Sequence, residues 1–188
     1  MTLSEIRAIL NDEDILLTRS LGQTFMHDQN QIRKIVDLAR LTPGDLVIEI
    51  GPGLGPLTEL LLDTAGHVTA IETDRRLINL LNQRFGQRDN FTLQHADAMK
   101  IVRKTEFDWS KHKLVANLPY SIASPLLIDL ADSAGRPCAM IVTLQLEVVQ
   151  RMLAKPASRE YGVLALLIGL HYTTGDWFTI PRGSFYPE

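Results

Sequence analysis

Asn117-Leu118-Pro119-Tyr120 joins an amide, a rigid turn and an aromatic face directly after an apolar run. The Asn117 side-chain oxygen and the Leu118 carbonyl are two acceptors that can hold the N–H groups of an amine conjugated to a ring. An amine held in this way becomes more pyramidal and aims its lone pair at an electrophile. No strong base is then needed before the attack, and the chemistry is mostly positioning. Pro119 stiffens the turn, and Tyr120 offers a face on which a splayed-out base can stack. A strand-terminating turn with a surface tyrosine explains the same four residues without chemistry, and the tetrapeptide alone does not choose between them.

Gly51-x-Gly53-x-Gly55 also follows an apolar run. Glycines there let the backbone approach a ligand closely, because no Cβ intrudes, and the helix that follows offers free N–H groups. Pro56 suits a first helical turn but replaces the small residue that a dinucleotide fingerprint requires for close packing. The loop therefore points to a nucleoside-containing ligand without a pyrophosphate, or to a glycine-rich turn with no ligand. Glu72 lies 21 positions after Gly51, where an acid can accept from both ribose hydroxyls; Asp74 is expected to cap a helix. Asp97 can accept from the exocyclic amine of an adenine, or serve as a turn aspartate.

The elements that must position these residues read as an α/β alternation. Thr2-x-x-Glu5 opens a short helix as a capping box, and Asp28 caps a second with Ile32, Ile35, Val36, Leu38 and Ala39 roughly on one face. Strands are predicted at Leu46–Ile50, Val68–Glu72, from Phe91, at Leu114–Ala116 and at Ala139–Leu144. Helices are predicted from the glycine loop to Thr64 and over Asp74–Phe85, Pro125–Leu130 and Glu147–Leu153. Such alternation implies a parallel sheet with helices on both faces. Ligands sit at the carboxyl ends of strands in these sheets, and all four clusters fall at such ends.

Length and composition fit one globular domain: 188 residues, 45% hydrophobic and 22% charged. The net charge of −3 gives no global basic signature for nucleic acid and leaves that role to a local patch. One cysteine excludes an internal disulfide, and five scattered histidines have no zinc-like spacing, so no metal is expected. No apolar run reaches membrane-spanning length, which points to a cytoplasmic protein without a membrane partner. Cys138 is expected to pack and Trp109 and Trp177 to lie in the core or at its rim. Lys100, Arg103, Lys104, Lys111 and Lys113 are read as a solvated face.

In order along the chain, seven segments resemble the KsgA-type ribosomal RNA adenine dimethyltransferases, from about Arg19 to the end. They are Leu21-Gly22-Gln23-Thr24-Phe25-Met26, Glu49-Ile50-Gly51-Pro52-Gly53-Leu54-Gly55, Ile71-Glu72, Asp97-Ala98, Asn117-Leu118-Pro119-Tyr120, Gln145-x-Glu147-Val148 and Tyr161-Gly162. The resemblance implies a Rossmann-like class I S-adenosylmethionine-dependent methyltransferase fold, three-layered around a mostly parallel sheet. It implies dimethylation of N6 on two adjacent adenines near the 3′ end of small-subunit (16S) rRNA, by a monomer acting on an immature 30S particle. Thr24, Met26, Gly51, Gly53, Glu72, Asp97 and Asn117 would contact S-adenosyl-L-methionine. Asn117, Leu118, Pro119 and Tyr120 would hold the target base, and Phe185 would cover it from the other side.

Thr24 stands where the family has Asn or His, and its reach is shorter. Residues 1–188 would form the catalytic domain, with 1–27 a helix and cofactor-covering segment. The family's later strand and small helical domain are expected to be absent from this chain. Two further readings stay open: an Erm-type enzyme of large-subunit rRNA, and a non-catalytic RNA-binding assembly or transcription factor on the same fold.

Overall fold

The computed structural model describes residues 1–12, 24–104 and 107–187. The Leu21-Gly22-Gln23 part of the sequence motif lies outside them. The elements run α1 (Leu3–Asp12), β1 (Phe25–Met26), α2 (Gln29–Ala39), β2 (Leu46–Ile50), α3 (Pro56–Thr64), β3 (His67–Glu72), α4 (Arg75–Phe85) and β4 (Phe91–His95). They continue with α5 (Ala98–Val102), β5 (His112–Asn117), α6 (Ala123–Asp132), β6 (Ala139–Thr143), α7 (Leu146–Met152), α8 (Val163–His171) and β7 (Phe185–Tyr186).

The central sheet has five strands in the order β4-β3-β2-β5-β6, with every neighbouring pair parallel. The chain winds outward from β2 to β4, then crosses back to β5 and β6. The β2–β5 boundary is thus the point where the strand order reverses, and a crevice opens at such a point. Strand β2 is apolar but for Glu49, and β5 is apolar at its centre, Leu114 to Ala116, because helices cover both faces. One layer buries Ile32, Ile35 and Val36 of α2, Leu57 and Leu61 of α3 and Leu81 and Phe85 of α4. The other buries Leu126, Leu127 and Leu130 of α6 with Ile168 of α8. A third cluster joins Ile6 and Leu10 of α1 to Phe25, Leu54 and Leu77.

Local chemistry places the helix starts. Thr2 and Glu5 form the expected capping box. Asp28 accepts from the N–H groups of Asn30 and Gln31, and Asp74 from that of Arg76. Gly55 precedes α3, and Pro56 opens it. The Ser184 hydroxyl also donates to Asp28 at 3.1 Å, and His27 N–H to the Ser184 carbonyl at 2.9 Å, which ties the 182–187 segment to the start of α2.

Three sequence expectations are corrected. Trp177 is 59% exposed and belongs to none of the core clusters. Cys138 is exposed, not packed. It sits just ahead of β6, and its thiol meets the His112 carbonyl at 3.1 Å. Lys113 is not part of a solvated face: its ammonium donates to the Ala39 and Arg40 carbonyls and pairs with Asp45 at 3.1 Å. It closes the C-terminus of α2, where a cation complements the free carbonyls. The sequence pattern also did not mark β1, β7, α5 or α8; two-residue strands carry no period, and the α8 run Val163–His171 is apolar on all sides.

Candidate functional site

A cavity of about 230 Å³ opens at the carboxyl ends of β2, β3, β4 and β5. Its lining contains Thr24, Met26, Gly51, Gly53, Glu72, Asp97, Asn117, Leu118 and Pro119, so nine residues singled out from sequence converge on one space. Tyr120 and Phe185 are not among its lining residues. Tyr120 follows Pro119 at the rim. Burial pushes its phenol above the ordinary value, and a hydrogen bond with the Thr24 side chain partly offsets this. Phe185 pairs with Met26 across the antiparallel β1–β7 ladder and packs against the α2–α4 core layer.

The glycine loop joins the two halves of the crevice. Gly51 has φ +68°, and a Cβ there would lie 3.2 Å from Cγ of Pro119. Gly53 has φ +61°, and its Cβ would lie 3.1 Å from the Phe25 ring. Both positions favour glycine for the left-handed backbone, and a Cβ there would crowd the side chain of another loop. The β5 turn and β1 therefore close onto the glycine loop directly.

Carboxylates dominate one wall. Glu72 ends β3, and its Oε1 accepts from the N–H groups of Thr73 (2.7 Å) and Asp74 (2.9 Å). Burial raises its pKa, against the lowering effect of these donors and of the Gly53 N–H. Asp97 uses one oxygen, Oδ1, to cap α5 through the Met99 N–H at 2.9 Å. The turn role and a place in the cavity lining thus coexist. Glu49, which no sequence argument singled out as a site residue, is 1% exposed and lines the same cavity. The Thr58 hydroxyl donates to its Oε2 at 2.7 Å. Burial, joined by the neighbouring Glu72 charge, pushes Glu49 up to about 8 against that hydrogen bond. The one available signal was a charge inside the otherwise apolar run Leu46-Val47-Ile48-Glu49-Ile50.

The opposite wall is neutral. Asn117 ends β5; its Nδ2 donates to the Thr24 carbonyl at 3.4 Å, and its Oδ1 accepts from the Thr143 hydroxyl. Leu118 is 1% exposed, so its side chain is an anchor in the core. Among the described residues no group of three or more His, Cys, Asp or Glu side chains could hold a metal ion.

A cavity with apolar floor and three carboxylates in its lining suits a nucleoside-like ligand that carries positive charge. The apolar residues Ile50, Leu57, Ile71 and Leu77 supply surface for a ring system. Buried acids are costly unless a partner compensates them, and a cationic ligand is such a partner.

Comparison with known proteins gives the same direction. The family model described as ribosomal RNA adenine dimethylase matches residues 16–188. The chain is 40% identical over 169 residues to the ribosomal RNA small subunit methyltransferase A of Aromatoleum aromaticum; the match covers 90% of this chain and 63% of that relative. The chain thus spans somewhat less than two thirds of that relative's length. A crystal structure of a dimethyladenosine transferase from Plasmodium falciparum superposes with a TM-score of 0.67 at 31% identity, covering 78% of this chain and 52% of that one. A crystal structure of the 23S rRNA methyltransferase ErmE superposes with a TM-score of 0.58 at 27% identity, covering 68% of this chain and 50% of that one.

Proposed function

Since the chain belongs to the ribosomal RNA adenine dimethylase family, we propose that it dimethylates N6 of two adjacent adenines near the 3′ end of small-subunit rRNA. The carrying observation is that Glu72, Asp97, Asn117, Leu118 and Pro119 converge on one cavity at the switch point of the sheet. When bound, S-adenosyl-L-methionine supplies a methyl group on a cationic sulfur. Glu72 receives the ribose hydroxyls, and the free oxygen valence of Asp97 receives the adenine amine of the cofactor. Thr24, Met26, Gly51 and Gly53 contact the cofactor around this frame. Glu72 favours a cationic ligand over a neutral one by charge.

On the other wall Asn117 Oδ1 and the Leu118 carbonyl accept the two N–H groups of the target amine. They orient its lone pair, and Pro119 keeps their separation constant. Tyr120 and Phe185 stack on the two faces of the target base. Residues 1–188 act as a methyltransferase catalytic domain in which Thr24, Phe25 and Met26 border the cofactor. The partner is rRNA in an immature small subunit, met in the cytoplasm by a monomer. No helix among the described residues is long and apolar enough to cross a membrane.

The test uses methyl-labelled S-adenosyl-L-methionine with either unmethylated small subunits or protein-free large-subunit rRNA, followed by digestion and mass spectrometry. Dimethyladenosine in the small-subunit sample alone is the expected result. Label in large-subunit RNA alone would transfer the protein to the Erm-type reading that the ErmE likeness permits. Label in neither sample, with binding to immature subunits retained by a variant lacking Asn117, would favour an assembly factor.

A further inference from the structure

Thr143 is the last residue of β6 and the only hydroxyl-bearing residue of that strand. It stands opposite Asn117 in the parallel β5–β6 register. Its hydroxyl donates to Asn117 Oδ1, while Asn117 Nδ2 donates to the Thr24 carbonyl at 3.4 Å. Thr143 is not among the residues that line the cavity; it reaches the site through Asn117.

These two contacts determine which way the amide faces. A backbone carbonyl accepts and never donates, so Thr24 can be met only by the NH₂ end of Asn117. The oxygen end then faces Thr143, whose hydroxyl can rotate to donate. A flipped amide would set NH₂ against the hydroxyl and put oxygen against oxygen at Thr24. Three segments far apart in the chain, just before β1 and at the ends of β5 and β6, thus hold one amide in one orientation. A carboxamide oxygen has two lone pairs. Thr143 occupies one and leaves the second for an incoming amine N–H.

We propose that Thr143 is a positioning residue that, with the Thr24 carbonyl, clamps the Asn117 amide with its oxygen presented to the target amine. This rests on the methyltransferase reading of the same site. Thr143 touches neither substrate nor cofactor; it acts by removing the amide orientation in which NH₂ would face the amine. Loss of such orientation costs rate far more than affinity, because the barrier depends on alignment.

The test compares the wild type with Thr143→Val, which keeps the β-branched shape and deletes the donor, and Thr143→Ser, which keeps the donor. Three readings are taken on each: methyl transfer to unmethylated small subunits, calorimetric binding of S-adenosylhomocysteine, and the ¹⁵N–¹H signals of the Asn117 side-chain amide. Thr143→Val should lower kcat by roughly tenfold to a hundredfold. KM for the cofactor and S-adenosylhomocysteine affinity should stay within about twofold, and Thr143→Ser should recover most of the rate. The Asn117 amide signals should be sharp and slow to exchange in the wild type and Ser variant, and averaged in the Val variant.

A Val variant with near-wild-type kcat and an unchanged amide signature would overturn the proposal. So would a Ser variant no better than Val, or a parallel fall in kcat, cofactor affinity and melting temperature. If the Val variant does not fold, the Ser variant's rate and amide signals decide alone: either one departing strongly from wild type counts against the clamp. If the wild type methylates neither RNA, the methyltransferase reading has failed, while the amide signals still decide whether the clamp exists.

Discussion

On the β2–β3 side of the cavity the polar groups are carboxylates, Glu49 and Glu72, set on adjacent central strands and addressed by the Thr58 hydroxyl and by backbone N–H groups. On the β5 side the wall carries an amide, Asn117, addressed by Thr24 and Thr143, with the Tyr120 phenol beside it but outside the lining. The first wall suits a ligand that brings positive charge. Acids on a rigid sheet, in a space of low polarity, interact with a cation much more strongly than they would in water. The second wall suits a neutral amine, whose nucleophilicity a charged base would not improve before the attack. Binding strength and reaction geometry are thus assigned to different strands of one sheet. Pro119 packing onto Gly51 is the contact that holds the two at a set distance.

The sharpest way to break this division is at Asn117. Asn117→Ala should lower the single-turnover rate of methyl transfer by on the order of a thousandfold, since orientation carries most of the barrier reduction. Cofactor affinity measured by calorimetry should fall by less than about tenfold, one neutral hydrogen bond at most. Equal losses in both would mean that the two walls are not separate.

Glu72→Ala tests the other wall. Loss of a charged acceptor should weaken S-adenosylmethionine binding by about 10- to 100-fold. The rate at saturating cofactor should stay within about threefold; unchanged binding in calorimetry would remove the ribose role of Glu72.

Smaller effects are expected at the rim. Tyr120→Ala and Phe185→Ala should each reduce kcat/KM for the RNA by about tenfold, the worth of one stacked base. Cofactor affinity should change little for Tyr120→Ala. Phe185→Ala should also lower Tm by a few degrees, because Phe185 is part of a core layer. An RNA-independent loss at Tyr120 would place that ring in the cofactor wall instead.

The smallest effect is one of stability and carries a definite sign. Glu49 is held at about 8 in the folded chain against an ordinary 4.5. Its contribution is fully present below pH 4.5 and is lost as pH rises toward 8, because the unfolded chain then ionises while the folded one resists. Glu49→Gln should therefore flatten the stability profile across that window. It should stabilise the ligand-free protein near pH 7 by at most on the order of 3 kcal/mol. Melting curves from pH 5 to 8 check this, and a variant whose profile keeps the wild-type slope would mean that Glu49 does not hold a proton in the folded state.

Much of the site was legible because its signals are local. A glycine at φ +68°, an N-cap aspartate and a proline after a strand each act within a few residues of themselves, so their types show where they stand. The register of β5 against β6 follows no such rule. Thr143 carries no motif, and as the last residue of an apolar run it reads as an ordinary β-former. Glu49 could be read as a register error in a buried strand until Thr58 was seen to meet it. Lys113 was misread for the same reason: its three partners come from the end of α2 and the turn before β2, and charge composition does not tell a tie from a solvated face.

By itself, then, the sequence determined the alternation of the central strands and their helices, the starts of α1 to α4, and the placement of every chemical cluster at a strand's carboxyl end. Those follow from periodicity and backbone stereochemistry, which operate over a handful of neighbouring residues. Only the tertiary structure decided that Asn117 answers to a residue 26 positions later and another 93 positions earlier. Only there does Phe25 close on Gly53 and Glu49 become an acid without water. These depend on which strands lie side by side, and that choice is made by burial of the whole core, not by any residue's immediate neighbours.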